Sequence, residues 1–179
     1  MALTATIYNF ATQLSDIDRG VYETLDLRMA RQPSETVEYM LMRFLAYCLE
    51  YTEGIAFTEG VAAGDDPAVV IRDLTGRLTG WIEVGAPDAD RLHRGSKLAQ
   101  RTAVYTHRPA RLVLGELAGK KIHRATEIPI YALEPAFVTE VAEAIDRRVD
   151  FAVSITEREL YLDINSRTFS ATVVEHRLA

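Results

Sequence analysis

Residues 68–97 read AVVIRDLTGRLTGWIEVGAPDADRLHRGSK, two apolar runs about a tight turn followed by a polar stretch with helical spacing. Ala68 to Asp73 and Leu78 to Val84 are predicted strands, with the turn at Leu74-Thr75-Gly76-Arg77 and a break at Gly85-Ala86-Pro87. Asp88 or Asp90 then caps a helix that runs to about Ala103. Asp73 closes the first strand, and Glu83 interrupts the apolar run Trp81-Ile82-Glu83-Val84. An ionised group in such a place is costly to bury unless something pairs with it or binds it. A hairpin that brings both acids to one point, with Lys97 on the following helix, has the makings of a divalent-metal site. Trp81 reads as core packing rather than as a stacking platform.

Working outward, the segment before this hairpin carries the clearest helix. Pro33 and Ser34 start it, with Ser34 as the expected N-cap and Glu35 and Glu38 near the positive end of the dipole. Val37, Met40, Leu41, Phe44, Leu45 and Cys48 follow the spacing of a core-facing stripe, and the helix is expected to end near Tyr51. Glu38 flanks that stripe and can reach the edge of a buried site. Further upstream, Thr4 to Gln13 and Val21 to Met29 read as a hairpin about Asp16-Ile17-Asp18-Arg19-Gly20. Ile55-Ala56-Phe57 is a short extended segment, followed by a polar loop in which Asp65 and Asp66, before Pro67, offer carboxylates that could replace or assist Asp73.

Downstream, Ala103 to Thr106 reads as a strand, Ala110 to Leu117 as a short helix, Glu127 to Leu133 as a strand and Pro135 to Ile145 as an amphipathic helix. Val149 to Ile155, Glu159 to Ile164 and Thr168 to Glu175 alternate as strands of an antiparallel meander. With no repeat and no long linker, residues 1–179 are expected to form a single α/β domain, a mixed β-sheet flanked by helices with the meander as a C-terminal extension.

Composition narrows the class. With 179 residues, 48% of them hydrophobic, the chain is long enough for one packed domain. No run of about 18 apolar residues is present, which argues against a membrane span. The start, MALTATIYNF, lacks the basic residues of a secretory signal, so a cytoplasmic location is expected. The one cysteine, Cys48, falls in the apolar stripe and reads as a core thiol. The motifs of phosphate-binding loops, dinucleotide folds, zinc sites and serine hydrolases are absent.

The net charge of −6 is unevenly spread. Residues 91–124 hold nine basic residues, among them Arg91, Arg94 and Lys97, and one acid, Glu116; this block is +8 and leaves −14 elsewhere. A basic block directly after two candidate metal carboxylates suits a polyanion such as nucleic acid, with Arg91, Arg94 and Gln100 as candidate substrate contacts. The same charges also fit a solvated surface that balances the acidic remainder. Arg31 and Ser34, in Arg28-x-x-Arg31-x-Pro33-Ser34-Glu35-Thr36, could bind phosphate at the helix N-terminus or simply cap it through an Arg–Glu pair.

Phosphodiester hydrolysis needs carboxylates to hold Mg²⁺ or Mn²⁺ and a cation to stabilise developing charge. Asp73, Glu83 and Glu38 are the candidate ligands, with Glu83 and Lys97 as the candidate catalytic residues. The order helix glutamate, Asp, hairpin, Glu-x-x resembles the PD-(D/E)XK nucleases, which implies a restriction-endonuclease-like core. A wider match covers nearly the whole chain. MALTATIY, Leu27-Arg28-Met29-Ala30-Arg31-Gln32-Pro33-Ser34-Glu35-Thr36 and Trp81-Ile82-Glu83-Val84-Gly85-Ala86-Pro87 closely resemble the YaeQ family of bacterial proteins. That family is similar to the nuclease fold and has no firmly assigned reaction. The nuclease pattern places lysine two residues after the acid, where this chain has Gly85, and the resemblance implies Lys97 as the migrated substitute. A metal-dependent nuclease or phosphodiesterase is thus one expectation. The other is a non-catalytic module of the same fold that binds nucleic acid or a protein, with Glu83 and Lys97 as a buried ion pair.

Overall fold

Tyr8, Phe10, Thr12, Leu14 and Asp16 point inward at every second residue of the first strand, β1 (Thr6–Asp16). This alternation fixes which face meets the core. In the computed structural model, which describes residues 3–59 and 64–179, β1 pairs antiparallel with β2 (Val21–Arg31) from Thr6↔Arg31 to Asp16↔Val21. On its other side β1 runs parallel to β8 (Arg148–Thr156), which continues antiparallel into β9 (Glu159–Ile164) and β10 (Arg167–Thr172). The N-terminal hairpin and the C-terminal meander therefore form one sheet, ordered β10-β9-β8-β1-β2.

The second sheet is ordered β11-β7-β6-β5-β4-β3. It contains β3 (Ile55–Phe57), β4 (Val69–Arg72), β5 (Leu78–Val84), β6 (Arg101–Thr106), β7 (Pro129–Ala132) and β11 (Val174–Arg177). β5, β6 and β7 are parallel, while β3, β4 and β11 pair antiparallel at its edges.

Helix α1 (Val37–Leu49) lies between the sheets. Every residue from Met40 to Leu49 is buried, as expected of a helix apolar all round. Phe44 meets Phe10 and Phe151 of the first sheet at ring separations of 5.1 and 4.6 Å, and α1 shares its core with Ile82, Val84 and Ala103 of the second. Helix α4 (Pro135–Ala144) packs beside it. The far face of the second sheet is covered by α2 (Ala89–Leu98) and α3 (Ala110–Leu117), around Leu92, Val104, Val113, Leu117, Ile128 and Ile130. Gly95 of α2 lies flat on Trp81; a Cβ there would fall 2.6 Å from the indole, so this glycine sets how closely the helix approaches β5. Among the described residues the chain is a mixed α/β domain with two mixed sheets and four α-helices. Among the described residues no helix is long and apolar enough to cross a membrane.

Four expectations change. The single sheet is two, because pairing of β1 with β8 joins segments some 140 residues apart. The last predicted strand, Thr168 to Glu175, divides: Val173 turns inward, its N–H donates to Arg158 O at 2.8 Å, and β11 crosses to pair with β7. Helix α1 is capped by Thr36, whose hydroxyl accepts from Tyr39 N, rather than by Ser34. Helix α2 stops at Leu98, since Arg101 to Thr106 form β6.

Candidate functional site

Glu83 is 3% exposed near the end of β5, and alternation turns it, with Trp81, toward α2. Its carboxylate meets two donors. Trp81 Nε1 donates to Oε1 at 2.8 Å, and Arg91 Nε donates to both oxygens at 3.3 Å. Arg91 Nη2 lies 3.2 Å from Oε1. The same guanidinium donates to Gly64 O at 2.9 Å and Asp66 O at 2.7 Å, so it joins the sheet to the loop before β4. Asp88 fixes the start of α2 by accepting from Arg91 N at 2.8 Å. Burial pushes the Glu83 carboxyl above its ordinary range, and the Arg91 charge only partly opposes this.

This corner opens into a cleft of about 580 Å³ lined by Ser34, Glu35, Tyr39, Asp66, Glu83, Arg91, His107 and Arg108 among others. Glu35 is buried, with Oε1 accepting from Arg43 Nε at 2.6 Å and Oε2 from Gln32 N at 3.2 Å. Arg43, itself 1% exposed, also donates to Ala30 O. Tyr39 is raised by burial and by the charges of Glu83 and Glu35. His107 is lowered by burial, and its Nδ1 has no described hydrogen-bond partner.

The residues expected from sequence do not all converge. Asp73 lies at the tip of the hairpin, exposed, with Oδ1 accepting from Thr75 N, Thr75 Oγ1 and Arg77 N. The Thr75 hydroxyl, chiefly, holds its carboxyl below the ordinary value. Because Val69 pairs with Ile82 and Arg72 with Leu78, Glu83 is at the other end of the ladder, about 20 Å away over six strand residues. Lys97 is exposed and six residues beyond Arg91, about 9 Å along the helix and on another face. Arg91, not Lys97, is the partner of Glu83. Glu38 is half-buried on the first turn of α1, where its charge acts on His107. Arg31 Nη1 donates to Glu35 O, a structural strut. Arg94 meets the exposed Asp65 at 3.3 Å. Gln100 lines a different, smaller cavity beside Arg124. Ser34 and Arg91 do line the cleft.

Position 85, where the resemblance to the nuclease pattern would put a lysine, has a backbone that favours glycine. Gly85 adopts φ +88°, its N–H donates to Tyr105 O at 2.9 Å, and a Cβ would come 3.4 Å from the Tyr39 ring. A side chain there would be strained. The buried Glu35–Arg43 pair was not legible, because Arg43 lies off the apolar stripe of α1 and only the structure shows that this face of the helix is buried as well. His107 and Arg108 lie in the turn after β6 and carry no comparable sequence signal.

The donor set does not suit a divalent cation. Both Glu83 oxygens face a guanidinium, both Glu35 oxygens accept N–H groups, and among the described residues no group of three or more His, Cys, Asp or Glu is arranged to hold a metal ion.

The comparisons with known proteins agree over nearly the full length. The family model described as "YaeQ protein" matches residues 1–173. The YaeQ protein of Escherichia coli strain K12 is 30% identical over 164 residues, 90% of each chain, and that of Salmonella typhi 29% over 163 residues, again 90% of each. The crystal structure of YaeQ from Pseudomonas syringae superposes with a TM-score of 0.86 at 32% identity, covering 96% of this chain and 95% of that one. The structure from Xanthomonas axonopodis pv. citri gives 0.85 at 25% identity, covering 98% and 100%. With this fold and this match, the chain belongs to the YaeQ family.

Proposed function

We propose that this protein is a non-hydrolytic binding module for nucleic acid, built on a nuclease-like architecture in which an arginine faces the strand glutamate where a metal ion would otherwise bind. The observation that carries this reading is the Arg91 guanidinium, which contacts both oxygens of the buried Glu83 and two loop carbonyls at once. A cation so held neutralises Glu83 and braces the cleft.

Support for a polyanionic partner comes from the basic block. Arg91, Arg94, Arg101 and Arg124 form ion pairs with acids of the chain, whereas Lys97, Arg108, Arg111, Lys120 and Lys121 make none with a described residue. Partial burial and then the charges of Lys97 and Lys121 lower the His93 pKa, which puts both lysines near one histidine of α2. His123 N donates to His93 Nδ1 at 3.1 Å, so the loop after α3 adjoins the same surface. Arg108 extends positive charge to the cleft.

The rival reading is a metal-dependent nuclease. It is favoured by the carboxylates of Glu35, Asp66, Glu83 and Asp88 around one cleft, and it requires Arg91 to leave Glu83. Fluorescence anisotropy with labelled single- and double-stranded 20-mers, with and without Mg²⁺, separates the two. Expected are intact oligonucleotides and binding that weakens with salt, at a log–log slope of about −3 to −5 if most of these five basic residues meet phosphates. Lys97→Glu/Lys121→Glu should weaken it. Cleavage that needs Mg²⁺ and disappears in Glu83→Gln would establish the rival, and no binding at low salt would reject both.

A further inference from the structure

A second cleft, about 730 Å³, opens at the opposite end of α1 from Glu83, about 20 Å away by the length of the helix. It lies between the two sheets. Leu49, Ile71, Ile155 and Val173, all under 10% exposed, form its apolar wall. Two of its arginines meet at Tyr131. Arg158 lies over the Tyr131 ring, 5.3 Å from the centroid, and Arg101 Nη2 is 3.4 Å from the Tyr131 hydroxyl. Arg101 is held by Glu50 through Nε and Nη2, each at 2.7 Å, which leaves Nη1 without a described partner. Arg158 has one long contact, Nη2 to Glu175 at 3.5 Å, and its side chain is 47% exposed.

We propose that this second cleft binds a small amphipathic anion, with the apolar body against Leu49, Ile71, Ile155 and Val173 and the acidic group between Arg158, Arg101 Nη1 and the Tyr131 hydroxyl. Three features carry the assignment. The volume falls in the range of sites for drug-sized ligands, and four apolar side chains stand beside Arg101 and Arg158 in its lining. Planar guanidinium forks match a carboxylate, sulfonate or phosphate. The acids at the cleft are already engaged: Asp16 by Arg19, Asp18 by the N–H groups of Glu157 and Arg158, and Glu50 by Arg101 and Tyr105. Glu157 is the exception and is exposed at the rim.

The probe is 8-anilinonaphthalene-1-sulfonate, an aromatic body with one sulfonate, titrated into the folded full-length chain by fluorescence. Saturable binding of one probe per chain is expected. Thr52→Trp, which fills the cleft from its exposed rim, should abolish it. Arg158→Glu should weaken it about tenfold or more, the effect of losing one charge-assisted contact. Arg108→Ala, in the other cleft, should leave it unchanged. Circular dichroism and melting curves establish that each variant is folded. Absence of saturable binding by the wild-type protein overturns the proposal, as does equal binding by folded Thr52→Trp. Binding lost in Thr52→Trp but undiminished in Arg158→Glu overturns the assignment of an anion.

Discussion

The two clefts each hold a buried glutamate against an arginine, and the pairs are built differently. At the C-terminal end of α1, Glu50 receives Arg101 through two parallel contacts of 2.7 Å and Tyr105 Oη at 2.7 Å. That bond to Glu50 holds the Arg101 guanidinium well above its ordinary pKa, and burial raises Tyr105. At the N-terminal end, Arg91 approaches Glu83 at 3.2–3.3 Å and divides its donors with Gly64 and Asp66. Short bidentate pairing makes the first a strut. Longer, shared contacts and a carboxyl whose pKa burial raises make the second the weaker pair.

The largest expected effect tests the strut. Glu50→Gln leaves Arg101 without its counter-charge and Tyr105 without a charged acceptor. Since Arg101 is 44% exposed and partly screened, the cost should be about 3 kcal/mol, read by urea denaturation. Arg91→Met should cost less, about 2 kcal/mol, because Glu83 keeps Trp81 and can take up a proton. A cost at position 91 equal to that at position 50 would erase the distinction.

Glu83→Gln sharpens the contrast through pH. A carboxyl with a raised folded pKa contributes its stability fully below the ordinary value of 4.5 and loses it as pH rises through the raised value. Wild type should therefore lose stability relative to Glu83→Gln on going from pH 4 to pH 7, read by urea denaturation at each pH. A difference independent of pH would contradict the burial account. His107 acts in the other direction. Its lowered pKa gives stability that is present above the ordinary value of 6.5 and is lost as pH falls through the lowered one, so His107→Gln should flatten the acid limb. The smallest effect is expected from Lys97→Ala, within about 0.5 kcal/mol, since Lys97 has no described ion-pair partner.

Local pattern made most elements legible. The stripe of α1, the hairpin of β4 and β5, the Asp88 cap and helix α3 follow from spacing and turn residues. Pairing between distant segments did not, so the parallel contact of β1 with β8 and the crossing of β11 were hidden. In the site, Glu83 was legible because burial of a charge inside an apolar strand demands a partner. Choosing that partner required knowing which face of α2 meets β5, and Gly95 on Trp81 decides it in favour of Arg91 over Lys97. Asp73 sits beside the turn, as its place in the sequence implies, but Glu83 lies six residues along the partner strand, so the hairpin holds the two acids apart instead of bringing them to one point.

The most direct test of the Arg91–Glu83 pair is the Arg91 Nε–H resonance in a ¹⁵N spectrum, followed as millimolar Mg²⁺ is added. The ion-pair account predicts a distinct signal that shifts in Glu83→Gln and is indifferent to Mg²⁺. A wild-type signal displaced by Mg²⁺, with no such response in Glu83→Gln, would show that the metal takes the place of the guanidinium and would contradict it.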